Sequence, residues 1–186
     1  MRTFIAIELP DTVKKELVQL IDGLKSSQAD VKWVNPKGIH LTLKFLGNID
    51  EEKVTEIKDV LDKVTKAENP FELRLAELGA FPTPASPRVI WAGVKEGAQL
   101  AIDLAKKLEE QLEKIGFEKE KRSFYPHLTL GRVRSAQNKG RLTKLLESTK
   151  FKCSSTIKVS HISLIQSTLT PTGAIYTQLY QAKLGR

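Results

Sequence analysis

Hydrophobic residues follow two periodicities along the 186-residue chain, and each periodicity predicts a different kind of element. Apolar stripes spaced three or four residues apart predict amphipathic helices at 11–26, 50–64, 98–115 and 138–149. Alternating or short apolar runs predict strands at 3–9, 31–34, 39–46, 71–81, 88–94, 124–133, 151–167 and 174–184. Because helices and strands intermix at hairpin-like spacing, the pattern predicts an α+β fold with largely antiparallel sheets.

Local residue signals predict where several of these elements begin and end. Asp11 and Asp50 stand where a side chain can cap the first two helices, and Gly116 is a natural stop for the third. The segment Pro82–Pro87 is rich in proline and predicts a loop rather than strand. No linker rich in proline, glycine or serine divides the chain, so we expect residues 1–186 to form a single domain.

Composition is typical of an ordinary globular protein, with 40% hydrophobic and 28% charged residues. No run of about 18 apolar residues occurs, so we expect no membrane span. The opening residues MRTFIAIELP predict an amphipathic strand and lack the apolar core of a signal peptide. Cys153 stands alone, which excludes an internal disulfide and a multi-cysteine metal site. These features favour a cytoplasmic protein.

The net charge is strongly positive, at +8 from 30 Lys and Arg against 22 Asp and Glu. Such an excess favours anionic partners, with nucleic acid as the first candidate. A solvated surface of lysine and glutamate explains the same charge, so charge alone leaves both interpretations open.

A repeated tetrapeptide carries the candidate chemistry. HLTL occurs at His40–Leu43 and again at His127–Leu130, and these two copies hold two of the three histidines in the chain. In a strand, side chains alternate between faces, so the histidine and threonine of each copy share one face while both leucines share the other. Each copy therefore offers an imidazole and a hydroxyl side by side on a rigid strand.

Two such strands across a cleft suit in-line displacement at phosphorus. Imidazole titrates near neutral pH, so one histidine can act as an acid while the other acts as a base. Threonine hydroxyls can donate hydrogen bonds to the non-bridging oxygens, where negative charge builds. Metal binding is the rival chemistry, but a zinc site needs three or four convergent ligands and neither motif has an acidic neighbour. We therefore expect neither a metal nor a cofactor.

Residues beside the motifs are further candidates for holding phosphate. Strict alternation places Lys44 on the His40 face and Phe45 in the core. The same rule places Arg132 on the face opposite His127, unless Gly131 allows a bulge that re-aims it. Both positions of Arg132 remain open at this point.

Three other residues have a structural interpretation beside a functional one. His161 begins a near-copy of the motif, HISL, but a symmetric two-motif site has no place for it, so we expect it to be structural or exposed. Tyr125 and Trp33 could stack against a nucleic-acid base, although buried aromatics are the commoner outcome.

Five stretches, in this order and at their natural spacing, resemble one known family along almost the whole chain: RTFIAIELP, VKWVNPKGIHLTLKFLGNI, PRVIWAGV, YPHLTLGRVR and ISLIQSTLTPTGAIYTQL. The paired H-x-T-x motifs resemble the 2H phosphoesterase superfamily. The surrounding residues resemble its RNA 2′,3′-cyclic phosphodiesterases, historically called 2′-5′ RNA ligases. Neither histidine nor threonine is substituted in either motif.

The resemblance implies a fold and a reaction. The implied fold is bilobal and pseudo-two-fold, with two antiparallel sheets facing a central cleft, helices outside and one motif per lobe. The implied reaction opens a terminal 2′,3′-cyclic phosphate of RNA to a 2′-phosphate without metal or cofactor. By motif, His40 is the proton donor and His127 the proton acceptor, while Thr42 and Thr129 hold the phosphate oxygens. Strand periodicity and imidazole chemistry do not themselves decide which histidine is the acid.

The implied substrate is RNA with 2′,3′-cyclic phosphate ends, with tRNA fragments as one candidate, and we expect a monomeric enzyme. The resemblance also implies reversible 2′-5′ ligation by the same residues. Two alternatives remain. One is an RNA-binding module that grips ends without turnover, and the other is a different 2H specificity, such as a 2′,5′-linked oligonucleotide or an ADP-ribose cyclic phosphate.

Overall fold

The computed structural model describes residues 1–185 and consists of strands and helices in an α+β arrangement. The strands within this range are β1 (Arg2–Glu8), β2 (Val31–Trp33), β3 (His40–Asn48), β4 (Phe71–Thr83), β5 (Ser86–Glu96), β6 (His127–Val133), β7 (Ile157–Val159), β8 (His161–Thr170) and β9 (Gly173–Lys183). The helices are α1 (Asp11–Lys25), α2 (Glu51–Lys66), α3 (Ala98–Glu113) and α4 (Lys139–Ser148), with a 3₁₀ turn at Pro36–Gly38. No helix within residues 1–185 has the length and apolar character needed to cross a bilayer.

The strands form two antiparallel sheets, which confirms the predicted fold class. The four-stranded sheet has the order β3-β1-β8-β9, and the five-stranded sheet has the order β2-β6-β5-β4-β7. The first HLTL opens β3 and the second opens β6, so each sheet carries one copy of the motif.

The predicted apolar stripes bury the helices against a core shared by both sheets. In α1 the buried residues are Val13, Leu17, Ile21 and Leu24, all from the predicted stripe. The leucines of both motifs join the same core, because they occupy the strand face opposite the polar residues. Leu100 is an apolar residue at helical spacing with Leu104 that would be expected in the same stripe of α3, but it lies in the first turn and is 50% exposed.

Two predicted element ends are wrong. Asp11 is the first residue of α1 rather than its cap, because the carbonyl of Pro10 accepts hydrogen bonds from the N–H groups of Val13 and Lys14. The segment Pro82–Pro87 is largely strand, since β4 runs to Thr83 and β5 begins at Ser86. The pairing shifts register between Phe81 and Pro82, and such an irregularity accommodates proline at the end of a hairpin.

The predicted strand at 151–167 is divided between the two sheets. Residues 151–156 form no strand, Ile157–Val159 form β7, which pairs with β4, and the residues from His161 onwards form β8, which pairs with β1 and β9. The chain passes between sheets at Ser160. Period-two alternation describes the conformation of each part equally well, so it carries no information on which sheet each part joins.

Candidate active site

Both motifs line one cavity of about 1180 Å³. His40 and Thr42 reach it from β3 of the four-stranded sheet, and His127 and Thr129 reach it from β6 of the five-stranded sheet. The structure thereby brings together all four polar residues of the two motifs, although 87 residues separate the copies.

His40 is held between aromatic rings and the chain that precedes it. Its ring lies edge-on to Tyr176, with centroids 5.0 Å apart, and edge-on to Phe4 at 5.8 Å. It also donates a hydrogen bond to the backbone of Gly38. A Cβ at Gly38 would lie 2.8 Å from the ring of Tyr176, so only glycine allows this close approach.

The surroundings of His40 favour its neutral form. Burial lowers the pKa of His40 below its ordinary value, and the nearby Lys14 ammonium lowers it further. The Glu8 carboxylate opposes this shift, as does the hydrogen bond to Gly38. Glu8 stands directly opposite His40 in the pairing of β1 with β3, so the sheet itself holds the Glu8 carboxylate near the His40 imidazole.

His127 has a hydrogen bond that determines its tautomer. Its Nδ1 lies 2.6 Å from the carbonyl oxygen of Tyr125. A carbonyl can only accept, so Nδ1 carries a proton and Nε2 carries the lone pair when the imidazole is neutral. The ring also contacts Phe81 edge-on, with centroids 5.3 Å apart. This arrangement leaves Nε2 available to accept a proton.

A bulge in β3 reverses the alternation just after the first motif. Thr42 stands opposite Ala6 and Lys44 stands opposite Ile5, so Leu43 has no opposite residue in β1. Leu43 and Lys44 are both buried, at 4% exposure each. The residues beyond the bulge therefore face opposite to the direction that strict alternation predicts.

The prediction that Phe45 packs in the core is consequently wrong, whereas Lys44 does line the cavity together with His40. The Lys44 side chain is buried, and its Nζ lies 2.7 Å from Glu109 Oε1 and 2.7 Å from the carbonyl oxygen of Glu118. The ammonium borders the cavity but is engaged by these oxygens rather than free for a phosphate. Phe45, expected in the core, is 61% exposed and lines the cavity.

An equivalent bulge follows the second motif in β6. Thr129 stands opposite Trp91 and Gly131 stands opposite Ile90, so Leu130 has no opposite residue. Arg132 is thereby turned into the cavity. Of the two positions left open for Arg132, the one that depends on a bulge is confirmed. Each bulge falls at the same place in its motif, so Phe45 and Arg132 are equivalent, each five residues after its histidine.

Of the three other candidate residues, Tyr125 lines the cavity, whereas Trp33 and His161 do not. The hydroxyl of Tyr125 donates to Glu77. Burial, together with this hydrogen bond to Glu77, raises the pKa of Tyr125 to about 12. Trp33 is not among the lining residues and lies against Gly131. His161 is also outside the cavity lining, and its Nε2 lies 3.4 Å from Glu8 Oε2.

Sequence reasoning missed two groups of cavity residues. Tyr176 contacts His40 from β9, and Arg2, Lys106, Lys121 and Arg122 add positive charge to the lining. None of these residues belongs to a motif, and the positive net charge was the only signal that pointed to such a cluster. Within residues 1–185 no group of three or more His, Cys, Asp or Glu is placed to hold a metal ion.

Comparison with known proteins places this geometry among phosphoesterases. The family model described as LigT like Phosphoesterase matches twice, at residues 7–91 and 93–176, and each match contains one HLTL. A protein of Methanothermobacter thermautotrophicus named RNA 2′,3′-cyclic phosphodiesterase is 37% identical over 96% of each chain. Another of that name from Methanocaldococcus jannaschii is 36% identical over 95% of this chain and 96% of its own.

Solved structures agree with the sequence comparison. The protein TT0787 of Thermus thermophilus superposes with a TM-score of 0.82 at 28% identity, covering 99% of this chain and 98% of that one. The apo form of LigT from E. coli superposes with a TM-score of 0.79 at 25% identity, covering 100% of this chain and 98% of that one. The resemblance therefore extends over the whole fold.

Proposed function

The chain belongs to the LigT-like phosphoesterase family, and we propose that it hydrolyses RNA 2′,3′-cyclic phosphodiester ends to 2′-phosphomonoesters. The observation that carries this proposal is the convergence of both HLTL motifs on one cavity. The relatives named RNA 2′,3′-cyclic phosphodiesterase support the choice of substrate, since they match nearly the full length of the chain.

The proposed mechanism uses the two histidines in opposite roles. Nε2 of His127 accepts a proton from a water molecule, and the water oxygen forms a new bond to phosphorus. The bond from phosphorus to O3′ breaks on the opposite side, and His40 donates a proton to the departing O3′. The product carries a 3′-hydroxyl and a 2′-phosphate, and the histidine protonation states are reset by exchange with solvent.

Donors around the phosphate would stabilise the developing charge. The hydroxyls of Thr42 and Thr129 and the guanidinium of Arg132 are placed on the cavity surface beside the histidines. Such donors are most effective when they are already oriented before the reaction, as they are on strands. These groups and the two imidazoles are sufficient for the chemistry, so we propose that the reaction needs neither metal nor cofactor.

The lowered pKa of His40 is compatible with a role as proton donor once substrate is bound. An anion close to an imidazole favours the charged form and raises its pKa. A cyclic phosphodiester carries one negative charge, and bound beside His40 it would counteract the effects of burial and Lys14. Binding of substrate therefore favours protonation of His40, which then donates this proton to O3′.

The proposal extends to the cellular setting and to the reverse reaction. We propose a monomer that acts on RNA ends in the cytoplasm, with tRNA fragments as one source of those ends. With a 5′-hydroxyl in place of water, the same step joins the cyclic phosphate to that hydroxyl as a 2′-5′ bond while the P–O3′ bond breaks. The reverse reaction cleaves this 2′-5′ bond, with acid and base exchanging roles. Hydrolysis dominates because water is abundant.

Alanine substitution of each histidine tests the mechanism. We expect His40→Ala and His127→Ala each to reduce hydrolysis of an RNA oligonucleotide with a cyclic phosphate end by about 10²–10⁴-fold. Circular dichroism should show that both variants remain folded. Full activity in either variant would contradict the two-histidine mechanism.

The identity of the product end tests the reaction itself. A 2′-phosphate supports the proposal, whereas a 3′-phosphate means that the other ester bond is cut. Unchanged ends together with salt-sensitive RNA binding would identify an RNA-binding module without turnover.

A further inference from the structure

One wall of the cavity is formed by α3 and the segment that follows it. Ile102, Ala105, Lys106 and Glu109 line the cavity from one face of α3, since their spacing of three and four residues matches the helical period. The segment 120–125 continues this wall towards His127. It lies between the end of α3 and the start of β6, and it forms no regular helix or strand.

Buried contacts hold this segment in place. Lys44 Nζ donates to the carbonyl oxygen of Glu118 at 2.7 Å and to Glu109 Oε1 at 2.7 Å. Glu109 Oε1 also accepts from the backbone N–H of Glu120 at 2.9 Å. The start of the segment is therefore fixed to both β3 and α3, so the side chains that follow it are presented from a fixed base.

The same contacts leave the cavity wall positively charged. The two glutamates that line the cavity, Glu109 and Glu120, both face Lys44 Nζ, at 2.7 Å and 3.6 Å. Lys121 and Arg122 come directly after them, line the cavity and form no ion pair within residues 1–185. Lys44 balances one of these two carboxylate charges, so Lys121 and Arg122 leave this stretch of the wall with a net positive charge.

Two further cations extend this charge along the cavity. Lys106 lines the wall from α3, and Arg2 lines it from β1, with neither in an ion pair within the described residues. Arg2 pairs with Asn48, whereas Glu8 pairs with His40. At about 3.3 Å per residue, Arg2 lies roughly 20 Å along β1 from the level of His40.

This charge exceeds what the reacting phosphate needs. A cyclic phosphodiester carries a single negative charge and already has Thr42, Thr129, Arg132 and the two histidines around it. The cavity volume of about 1180 Å³ lies above the range of about 300–1,000 Å³ that is usual for pockets of small ligands. Both observations indicate room and charge for phosphates beyond the terminal one.

We propose that Arg2, Lys106, Lys121 and Arg122 form a backbone subsite that binds the phosphodiesters of nucleotides 5′ to the cyclic end. This inference rests on the proposed function and specifies its substrate as an oligonucleotide rather than a free 2′,3′-cyclic mononucleotide. The subsite supplies binding energy from phosphates that do not react, so it lowers KM for longer substrates.

The test compares two substrates in one double variant. For Lys121→Ala/Arg122→Ala, we expect kcat/KM on a five-nucleotide RNA with a cyclic end to fall about 10-fold, mainly through KM. On a 2′,3′-cyclic mononucleotide, kcat/KM should change less than about 2-fold, since no upstream phosphate is present. Loss on both substrates would place these cations at the reacting phosphate, and loss on neither would overturn the subsite.

Neighbouring lysines provide matched controls. Lys119 directly precedes the segment but pairs with Glu113 at 2.8 Å, and Lys107 follows Lys106 but pairs with Glu68. Neither lines the cavity. We expect Lys119→Ala and Lys107→Ala to retain the wild-type ratio of kcat/KM between the two substrates, while Lys106→Ala lowers it. If Lys106→Ala and Lys107→Ala changed the ratio of kcat/KM between the two substrates equally, general surface charge would explain the effect and the subsite would be overturned.

A binding measurement separates failure of the subsite from failure of the proposed function. Fluorescence anisotropy with a labelled single-stranded RNA ending in a 2′-phosphate needs no turnover. The salt dependence of log Kd should weaken by roughly 0.7 for each phosphate contact removed, hence by about 1.4 in the double variant. If the salt dependence of log Kd in the double variant equals that of the wild type, the subsite is overturned, even if the protein does not hydrolyse RNA. If this salt dependence is weaker, the subsite is supported, whether or not the protein hydrolyses RNA.

Discussion

At the scale of single residues, His40 and His127 have the same motif but different surroundings. His127 has its Nδ1 proton held by the Tyr125 carbonyl, which leaves Nε2 as the acceptor. His40 has a lowered pKa because it is buried and near Lys14, while Glu8 partly offsets both effects. The two imidazoles therefore lie in different surroundings although they belong to identical motifs.

The pH profile should report the charges around His40. If His40 enters the reaction protonated, kcat/KM falls as pH rises through its pKa, which lies below 6.5 in the free enzyme. Lys14→Ala removes a cation that lowers this pKa, so the falling limb should move to higher pH. Glu8→Gln removes an anion that raises it, so the limb should move to lower pH.

Rates measured between about pH 4.5 and pH 9 on a cyclic mononucleotide are sufficient to check both shifts, since this range brackets the titration of imidazole. Lys15→Ala is the matched control, because it removes the same charge one position along α1 and is not among the groups that shift the pKa of His40. Shifts of the same sign in Lys14→Ala and Glu8→Gln would show that another group controls this limb.

At the scale of elements, the two bulges decide which side chains reach the cavity. Each one lies directly after its motif, buries the next residue and returns the fifth residue after the histidine to the polar face. In β3 that residue is Phe45, an exposed aromatic suited to stacking on a base, and in β6 it is Arg132, suited to a phosphate. Equivalent positions in the two halves thus carry different chemistry.

Gly131 allows β2 to pack closely at the second bulge. A Cβ there would lie 2.7 Å from Val31 Cγ1 and 2.8 Å from the Trp33 ring. We expect Gly131→Ala to lower the free energy of unfolding by about 1–3 kcal/mol, because β2 and Trp33 must shift. Since the bulge also aims Arg132, activity should fall in the protein that remains folded. Urea denaturation and kcat/KM are the measurements.

Gly23 provides the opposite case in a helix. A Cβ at Gly23 meets nothing within 4 Å, and the residue lies inside α1. Gly23→Ala should therefore raise the free energy of unfolding by about 0.5–1 kcal/mol through lower backbone entropy in the unfolded chain. If Gly131→Ala and Gly23→Ala changed the free energy of unfolding equally, the close packing inferred at Gly131 would be contradicted.

At the scale of the whole molecule, a buried ion pair links the first motif strand to the wall of the cavity. Lys44 lies in β3 of the four-stranded sheet, and its partners belong to α3 and to the segment leading into β6 of the five-stranded sheet. Lys44 thereby connects the elements that carry the two motifs.

Lys44→Met tests this link, because methionine keeps most of the length of the side chain but removes its charge. We expect the free energy of unfolding to fall by about 2 kcal/mol, because Glu109 and the Glu118 carbonyl lose their shared donor. The preference for an oligonucleotide over a cyclic mononucleotide should also decline, since the segment carrying Lys121 and Arg122 loses its anchor.

Lys53→Met is the control for a surface pair. Lys53 pairs with Glu56 one turn along α2 at 2.8 Å, and such exposed pairs contribute about 0.5 kcal/mol or less. Denaturant unfolding of both variants gives the comparison. A wild-type substrate preference in folded Lys44→Met would show that the segment does not depend on this anchor.

The sequence by itself determined the helices, most of the strands and the polar face of each HLTL copy. These features depend on local periodicity, and burial of the leucines behind His40 and His127 follows directly from it. The resemblance added the arrangement of two antiparallel sheets, which the structure confirms. The candidate residues of the two motifs were therefore identifiable before any coordinates.

Only the tertiary structure decided where Lys44, Phe45 and Arg132 point and that the predicted strand at 151–167 is shared between two sheets. It also decided that four further cations, Arg2, Lys106, Lys121 and Arg122, line the cavity. A bulge is a property of pairing between strands, and the partners of β3 and β6 lie tens of residues away along the chain. Side-chain alternation describes one strand at a time, so it holds only as far as the first irregularity in that pairing.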